Sequence, residues 1–233
     1  MTTRSKTVRQ FHEGIELEHV LISPAEDGPH PAVLLIHEYT GLDKATLGHA
    51  ERLAEAGFTV LAADFYGRDN LPADIEQARS IHRLYRNDRL LMRKRACACL
   101  QTLLKCPEAD SDTVFALGFS FGGGCALELA RTGANLKGAV SVYGYLDTTH
   151  PAAAGDVKCP LLAIYVENDP VVPEEHLLQF KGEINDSEIV CRIIRVKDSK
   201  HGFAKPDSDC FDARQAEQMW STVLEWMKQS PGT

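Results

Sequence analysis

Residues 113–125 read TVFALGFSFGGGC, and the fold turns on how this stretch is divided. Thr113 to Leu117 is an apolar run of strand length, and Phe121 to Arg131 has the spacing of a helix. Between them lies Gly118-Phe-Ser120-Phe-Gly122, a hydroxyl boxed in by glycines. A glycine costs backbone entropy wherever it is not needed, so this turn demands tight geometry. A serine on a sharp strand-to-helix turn meets that demand, because residues two positions either side must be small to avoid collision. The helix that follows aims its first N–H groups at the seryl oxygen, ready for negative charge. Gly123 and Gly124 then let helix and sheet approach. The competing reading is a glycine-rich phosphate turn, but the spacing G-x-G-x-x-G is absent.

Outward from this elbow, strand-like and helix-like segments alternate. Further strands are predicted at Ala32–Ile36, Phe58–Ala62, Lys137–Tyr143, Leu161–Val166 and Ile189–Val196. Helices are predicted across Lys44–Ala56, across about Ala73–Lys105 with a break near Asn87-Asp88, near Glu174–Phe180, and across Phe211–Lys228. Continuously apolar strands belong to a sheet buried on both faces, and intervening helices imply parallel crossovers. The fold class is therefore α/β, a three-layer α/β/α sandwich with a mostly parallel central sheet. Ile15–Ile22 partly alternates and is expected as an antiparallel edge. No repeat or linker divides the chain, so residues 1–233 are read as one domain, with little sequence left over for a large lid.

Composition narrows the partners. The 233 residues are 44% hydrophobic and 25% charged, with a formal net charge of −8, which argues against nucleic acid or an anionic membrane as partner. No apolar run reaches membrane-spanning length, and Met1–Gln10 lacks the core of a secretory signal. The C-terminal Gln229–Thr233 matches no address signal. Seven scattered cysteines read as reduced, buried thiols of a cytoplasmic protein. Cys97-x-Cys99 has no second pair, so no metal is expected there. The sequence leaves a monomer or a homodimer open.

A seryl hydroxyl needs a base, and the base an orienting carboxylate. In α/β-hydrolases these follow in the order Ser, Asp or Glu, His. Asp169 sits in Glu167-Asn-Asp169-Pro-Val-Val-Pro173, just past a strand end, and His201 in Lys197-Asp-Ser-Lys-His201-Gly-Phe203, just past the next. Asp147 falls at the wrong strand for this order, and Asp198 lies too close to His201 in sequence. His176 reads as a surface residue within a helix, and His12, His19, His30, His49, His82 and His150 lack comparable context. After Ala32–Ile36 comes His37-Glu38-Tyr39-Thr40-Gly41-Leu42. A zinc motif H-E-x-x-H fails there because position 41 is glycine. This loop instead supplies an oxyanion donor, a backbone N–H near Tyr39 that joins the N–H of Phe121.

With these residues in place, the chain resembles the dienelactone hydrolase family. His37-Glu38 with Gly41-Leu42, Ala63-Asp-Phe-Tyr-Gly-Arg68, the elbow, Glu167-Asn-Asp169 with Val172-Pro173, and His201-Gly-Phe-Ala-Lys205 fall in family order. The resemblance implies hydrolysis of a small ester or lactone without metal or organic cofactor, with Ser120 as nucleophile, Asp169 as acid and His201 as base. It implies a site glutamate at Glu38, oxyanion donors at Tyr39 and Phe121, and a basic grip on a substrate carboxylate at Lys205, with Arg79 or Arg83 as second cation. One departure stands out. The best-known members carry cysteine where this chain has Ser120, and a hydroxyl is far harder to ionise than a thiol. Glu38 is thus left with several roles open: water positioning, pocket shape, a cation partner, or capping of the next helix. Thioester or small-peptide cleavage, or a binding protein that keeps the elbow, remain the rival readings.

Overall fold

A computed structural model describes residues 2–229; Met1 and residues 230–233, within the C-terminal segment read above, lie outside the described residues. Among these residues one eight-stranded sheet runs in the order β1-β2-β4-β3-β5-β6-β7-β8. Its strands are β1 (Thr3–His12), β2 (Ile15–Pro24), β3 (His30–Ile36), β4 (Thr59–Ala63), β5 (Ala109–Phe119), β6 (Gly138–Val142), β7 (Leu161–Val166) and β8 (Cys191–Val196). The six strands β3 to β8 pair in parallel, whereas β2 runs antiparallel to β1 and to β4.

The helices explain why the central strands read as unbroken apolar runs. In β3, Leu34 and Ile36 face a core shared with α3 (Arg89–Leu103), α4 (Phe121–Arg131) and α5 (Glu174–Asp186). Val33 and Leu35 face a second core filled by α1 (Lys44–Glu55) and α6 (Ala213–Gln229). All four side chains are fully buried, because period-two alternation sends neighbours into two layers that are both dry. The break expected near Asn87-Asp88 is present. Helix α2 (Ile75–Asn87) ends there, and the Asp88 side chain caps α3 by accepting from the Leu91 N–H. None of the described helices is long and apolar enough to cross a membrane.

Two expectations need correction. Ile15–Ile22 is antiparallel, as read, but it is not the edge; β1 lies outside it, paired residue for residue from Thr3↔Pro24 to His12↔Ile15. The two strands close through a two-residue loop in which Glu13 and Gly14 have φ of 51° and 78°. That is a mirror-image hairpin turn, whose twist suits paired strands. Cys97, Cys191 and Cys210, read as buried, are only half-buried.

The elbow helix is anchored by charge as well as by apolar contact. Glu128 of α4 accepts from Arg131 at 3.0 Å and from Arg93 of α3 at 2.7 Å. Arg131 also forks onto both Glu183 oxygens of α5, at 2.8 and 2.7 Å. Glu128 and Arg131 are each 2% exposed in their side chains, so each charge depends on the others for solvation. Removing one partner from such a cluster typically costs about 3–5 kcal/mol, because a buried charge is left uncompensated. Glu128→Ala should therefore lose about that much in urea unfolding, and a loss below about 1 kcal/mol would contradict the role given to this network.

Candidate active site

Four loops at the carboxyl ends of β3, β5, β7 and β8 converge on the elbow. Ser120 follows β5 directly and has φ 50° and ψ −115°, a conformation that L-residues rarely adopt. Such a residue costs of the order of 1–3 kcal/mol and persists only where its surroundings over-determine it. Here the Ser120 N–H donates to the Val142 carbonyl at 2.9 Å, and the Gly124 N–H donates to the Ser120 carbonyl at 3.1 Å. The flanking glycines are sterically obligatory. A Cβ on Gly118 would lie 2.1 Å from the Gly122 carbonyl carbon, and one on Gly122 would lie 2.1 Å from the Ile36 carbonyl oxygen.

Ser120 Oγ lies 2.8 Å from His201 Nε2, and His201 Nδ1 lies 2.7 Å from Asp169 Oδ2. Because the carboxylate can only accept, Nδ1 carries the hydrogen and Nε2 is free to accept from the hydroxyl. The other Asp169 oxygen accepts from the Val171 N–H at 2.8 Å, which fixes the carboxylate in its loop. Asp169 is fully shielded at its side chain, whereas His201 remains 18% exposed. Phe203, completely buried, roots the His201 loop in the core, and its carbonyl accepts from the Asp212 N–H at 2.9 Å.

The loop after β3 runs beside the elbow. The Phe121 N–H opens α4 and belongs to the first turn, whose donors have no partner within the helix. Tyr39 lies in the neighbouring loop, with its carbonyl held by the Tyr66 hydroxyl at 3.1 Å. Glu38 is tucked inward: it accepts from the Tyr143 hydroxyl at 3.0 Å, and Lys205 Nζ stands 4.0 Å away. Burial pushes its carboxyl above the usual range, against the pull of Lys205 and Tyr143. Glu38 does not cap the next helix. Asp43 does so, accepting from the Thr46 N–H at 3.0 Å.

Lys205 is close to the site but engaged. Its ammonium donates to Asp43 Oδ2 at 2.7 Å and to Thr40 Oγ1 at 3.1 Å. Burial would raise the Asp43 carboxyl, yet Lys205 and Thr46 outweigh it and hold the group at about 2. Arg79 pairs with Glu76 on the exposed face of α2, and Arg83 is also exposed, so neither joins this cluster. Sequence reasoning passed over three contributors. The Tyr143 ring packs edge-on to the His201 ring at 5.1 Å, and the His82 ring packs edge-on to Phe121 at 5.6 Å. Tyr145 stacks against His82 at 5.8 Å and carries Arg86 over its face at 4.3 Å. Tyr143 did carry a signal, since it directly follows the mostly apolar strand β6, but the periodicity of that strand says nothing about what its hydroxyl meets.

A serine on a strained elbow with an imidazole and carboxylate in relay, at the carboxyl edge of this sheet, defines an α/β-hydrolase fold. A solved acylaminoacyl peptidase of Pyrococcus horikoshii, 16% identical, covers all of this chain and 43% of its own with a TM-score of 0.77, which supports that fold. The sequence model of the Dienelactone hydrolase family matches residues 17–230, and the chain belongs to this family. It is accordingly a hydrolase. Among its relatives is an Escherichia coli K12 protein described as "Putative carboxymethylenebutenolidase", 26% identical over 217 residues, spanning 88% of this chain and 79% of that one. Among solved structures, a dienelactone hydrolase-like promiscuous phosphotriesterase from metagenomic libraries is 29% identical, with 98% of each chain covered and a TM-score of 0.89.

The Asp43 carboxyl, at about 2 against an ordinary 3.8, is lowered on folding. Its stabilising contribution is thus complete above roughly pH 4 and is lost as pH falls through about 2. Acid titration followed by circular dichroism should show a shallower loss between pH 4 and 2 for Asp43→Asn than for the wild type. Parallel curves would contradict the pairing.

Proposed function

We propose that the chain is a serine hydrolase of small, uncharged carboxylic esters and lactones, acting through Ser120, His201 and Asp169. The observation that carries this reading is the unbroken relay of 2.8 and 2.7 Å from hydroxyl to imidazole to carboxylate. His201 Nε2 takes the Ser120 proton as Oγ attacks the carbonyl carbon. The oxyanion that forms is met by the N–H groups of Tyr39 and Phe121, and Asp169 steadies the imidazolium. His201 then returns the proton to the leaving alkoxide, and the acyl group stays on Ser120. Water, deprotonated by His201, attacks the acyl carbonyl; as the acyl–Oγ bond breaks, His201 returns that proton to Ser120 Oγ and the acid is freed. No metal or organic cofactor is required in this sequence of steps.

Glu38 has no proton to take from a thiol in this chain, and its neighbours suggest a different use. Its carboxylate receives the Tyr143 hydroxyl, so it braces the ring that flanks His201. The charge balance favours neutral substrates. Lys205 is paired with Asp43 and approached by Glu38, so a substrate carboxylate would have to displace acids already in place. Arg86, which lies over the Tyr145 ring, is itself engaged by both Asp147 oxygens at 2.7 and 2.8 Å.

Two measurements test this. Ser120→Ala and His201→Ala should each lower kcat on p-nitrophenyl acetate by at least about 10³-fold, as removal of members that act as a unit does. Turnover near the wild-type rate in Ser120→Ala would refute the assignment. Between a neutral ester and its carboxylate-bearing analogue, kcat/KM should favour the neutral one by about tenfold or more, a difference of about 1.4 kcal/mol. Asp43→Asn, which frees Lys205, should narrow that gap, and a wild-type preference for the anion would refute the choice of substrate class.

A further inference from the structure

Both ring nitrogens of His37 are committed, and neither commitment belongs to the Ser120 relay. The Phe65 N–H donates to His37 Nε2 at 3.2 Å, which requires that nitrogen to be bare. The hydrogen of the neutral ring therefore sits on Nδ1, and Nδ1 lies 2.5 Å from the Glu38 carbonyl oxygen, which can only accept. The ring is 1% exposed and wedged in place, edge-on to Tyr66 at 4.6 Å and stacked over Phe121 at 6.2 Å. Burial lowers its basicity, in keeping with a ring that stays neutral.

The Glu38 carbonyl and the Tyr39 N–H are opposite ends of one planar peptide, and none of the described peptide bonds is cis. Whatever fixes the direction of that carbonyl fixes the N–H to point the other way. A second donor to the same carbonyl, the Gly41 N–H at 3.2 Å, is weaker by distance and belongs to the same turn as the carbonyl it meets. His37, in contrast, is rooted between the end of β3 and the elbow, where Gly122 packs against the carbonyls of Ile36 and His37.

We propose that His37 is a positioning residue for catalysis: its Nδ1–H clamps the Glu38 carbonyl and thereby aims the Tyr39 N–H at the developing oxyanion. The inference rests on the reading of Tyr39 as an oxyanion donor in a Ser120 hydrolase. The clamp works through backbone, touches no substrate, and should act on the transition state rather than on substrate binding.

The two bonds of the ring can be separated by substitution. In His37→Asn the side-chain amide nitrogen falls near the place of Nδ1 and keeps the clamp, while the Phe65 contact is lost. In His37→Gln the polar end reaches the place of Nε2 and keeps the Phe65 contact, while the clamp is lost. With p-nitrophenyl acetate, His37→Gln should lose about 10- to 100-fold in kcat, less than outright deletion of a donor, with KM within about twofold. His37→Asn should recover most of that loss, even though its melting temperature falls as far or further. Equal kcat values in the two variants, or a kcat that follows melting temperature instead of the clamp, would overturn the proposal. Should neither variant fold, imidazole ¹⁵N spectra of the wild-type protein decide: a hydrogen on Nδ1 across the active pH range supports the clamp, and a hydrogen on Nε2 overturns it. Ser120→Ala keeps the two levels apart. Turnover in that variant defeats the underlying reading, whereas an inactive Ser120→Ala beside a fully active His37→Gln defeats the clamp alone.

Discussion

Gly122 approaches the carbonyl of Ile36 so closely that even a methyl group could not be admitted between them, at 2.1 Å for the added carbon. This contact between the first turn of α4 and the end of β3 is the constraint on which the rest depends. It holds Ser120 in a left-handed conformation that the residue would not choose alone. It also sets the loop of His37, Glu38 and Tyr39 beside the elbow, so that one steric requirement positions both a hydroxyl and the backbone next to it. The strain is sustained from below by the Glu128–Arg131–Glu183 network, which ties α4 to its neighbours. Strain of this kind is useful where geometry must survive a change of charge on the atoms held.

Around the elbow, polar groups are shared out so that few are idle. Asp169 gives one oxygen to its own loop and one to His201. Glu38 faces Tyr143, and Lys205 is bound by Asp43 and Thr40. The ammonium that sequence order suggested as a grip for substrate is thus part of a structural pair that also caps α1. In energetic terms a substrate carboxylate would have to compete with a partner already at 2.7 Å. This is the physical basis for the proposal of neutral substrates, and it separates family membership, which the sequence carries throughout, from substrate choice, which depends on pairings between distant side chains.

How much of this was legible in the sequence follows from the range of each interaction. The elbow could be read because strand, turn and helix are contiguous and the glycines are a local demand. Asp169 and His201 could be read because each falls in the loop just past a strand end, and the parallel strands place all such loops at one edge of the sheet. Strand β1 was missed, since Thr3–His12 is rich in charge and its pairing is set by a Glu-Gly turn instead of the commoner Asn-Gly. Tyr143, His82 and Tyr145 were missed because their partners are remote in the chain: Tyr145 meets His82 63 residues away and Tyr143 meets Glu38 105 residues away, beyond any local pattern. The partner of Lys205, Asp43, was missed because it lies 162 residues away in the chain.

The central claim is that Ser120 attacks carbonyl carbon as an activated alcohol. It is tested most directly by incubation with a fluorophosphonate, followed by mass spectrometry of the digested protein. The account predicts a single covalent adduct on the peptide that contains Ser120, formed rapidly in the wild type and slowed severely when His201 is replaced by alanine. An unlabelled Ser120 with esterase turnover intact, or labelling at full rate without the imidazole, would contradict it.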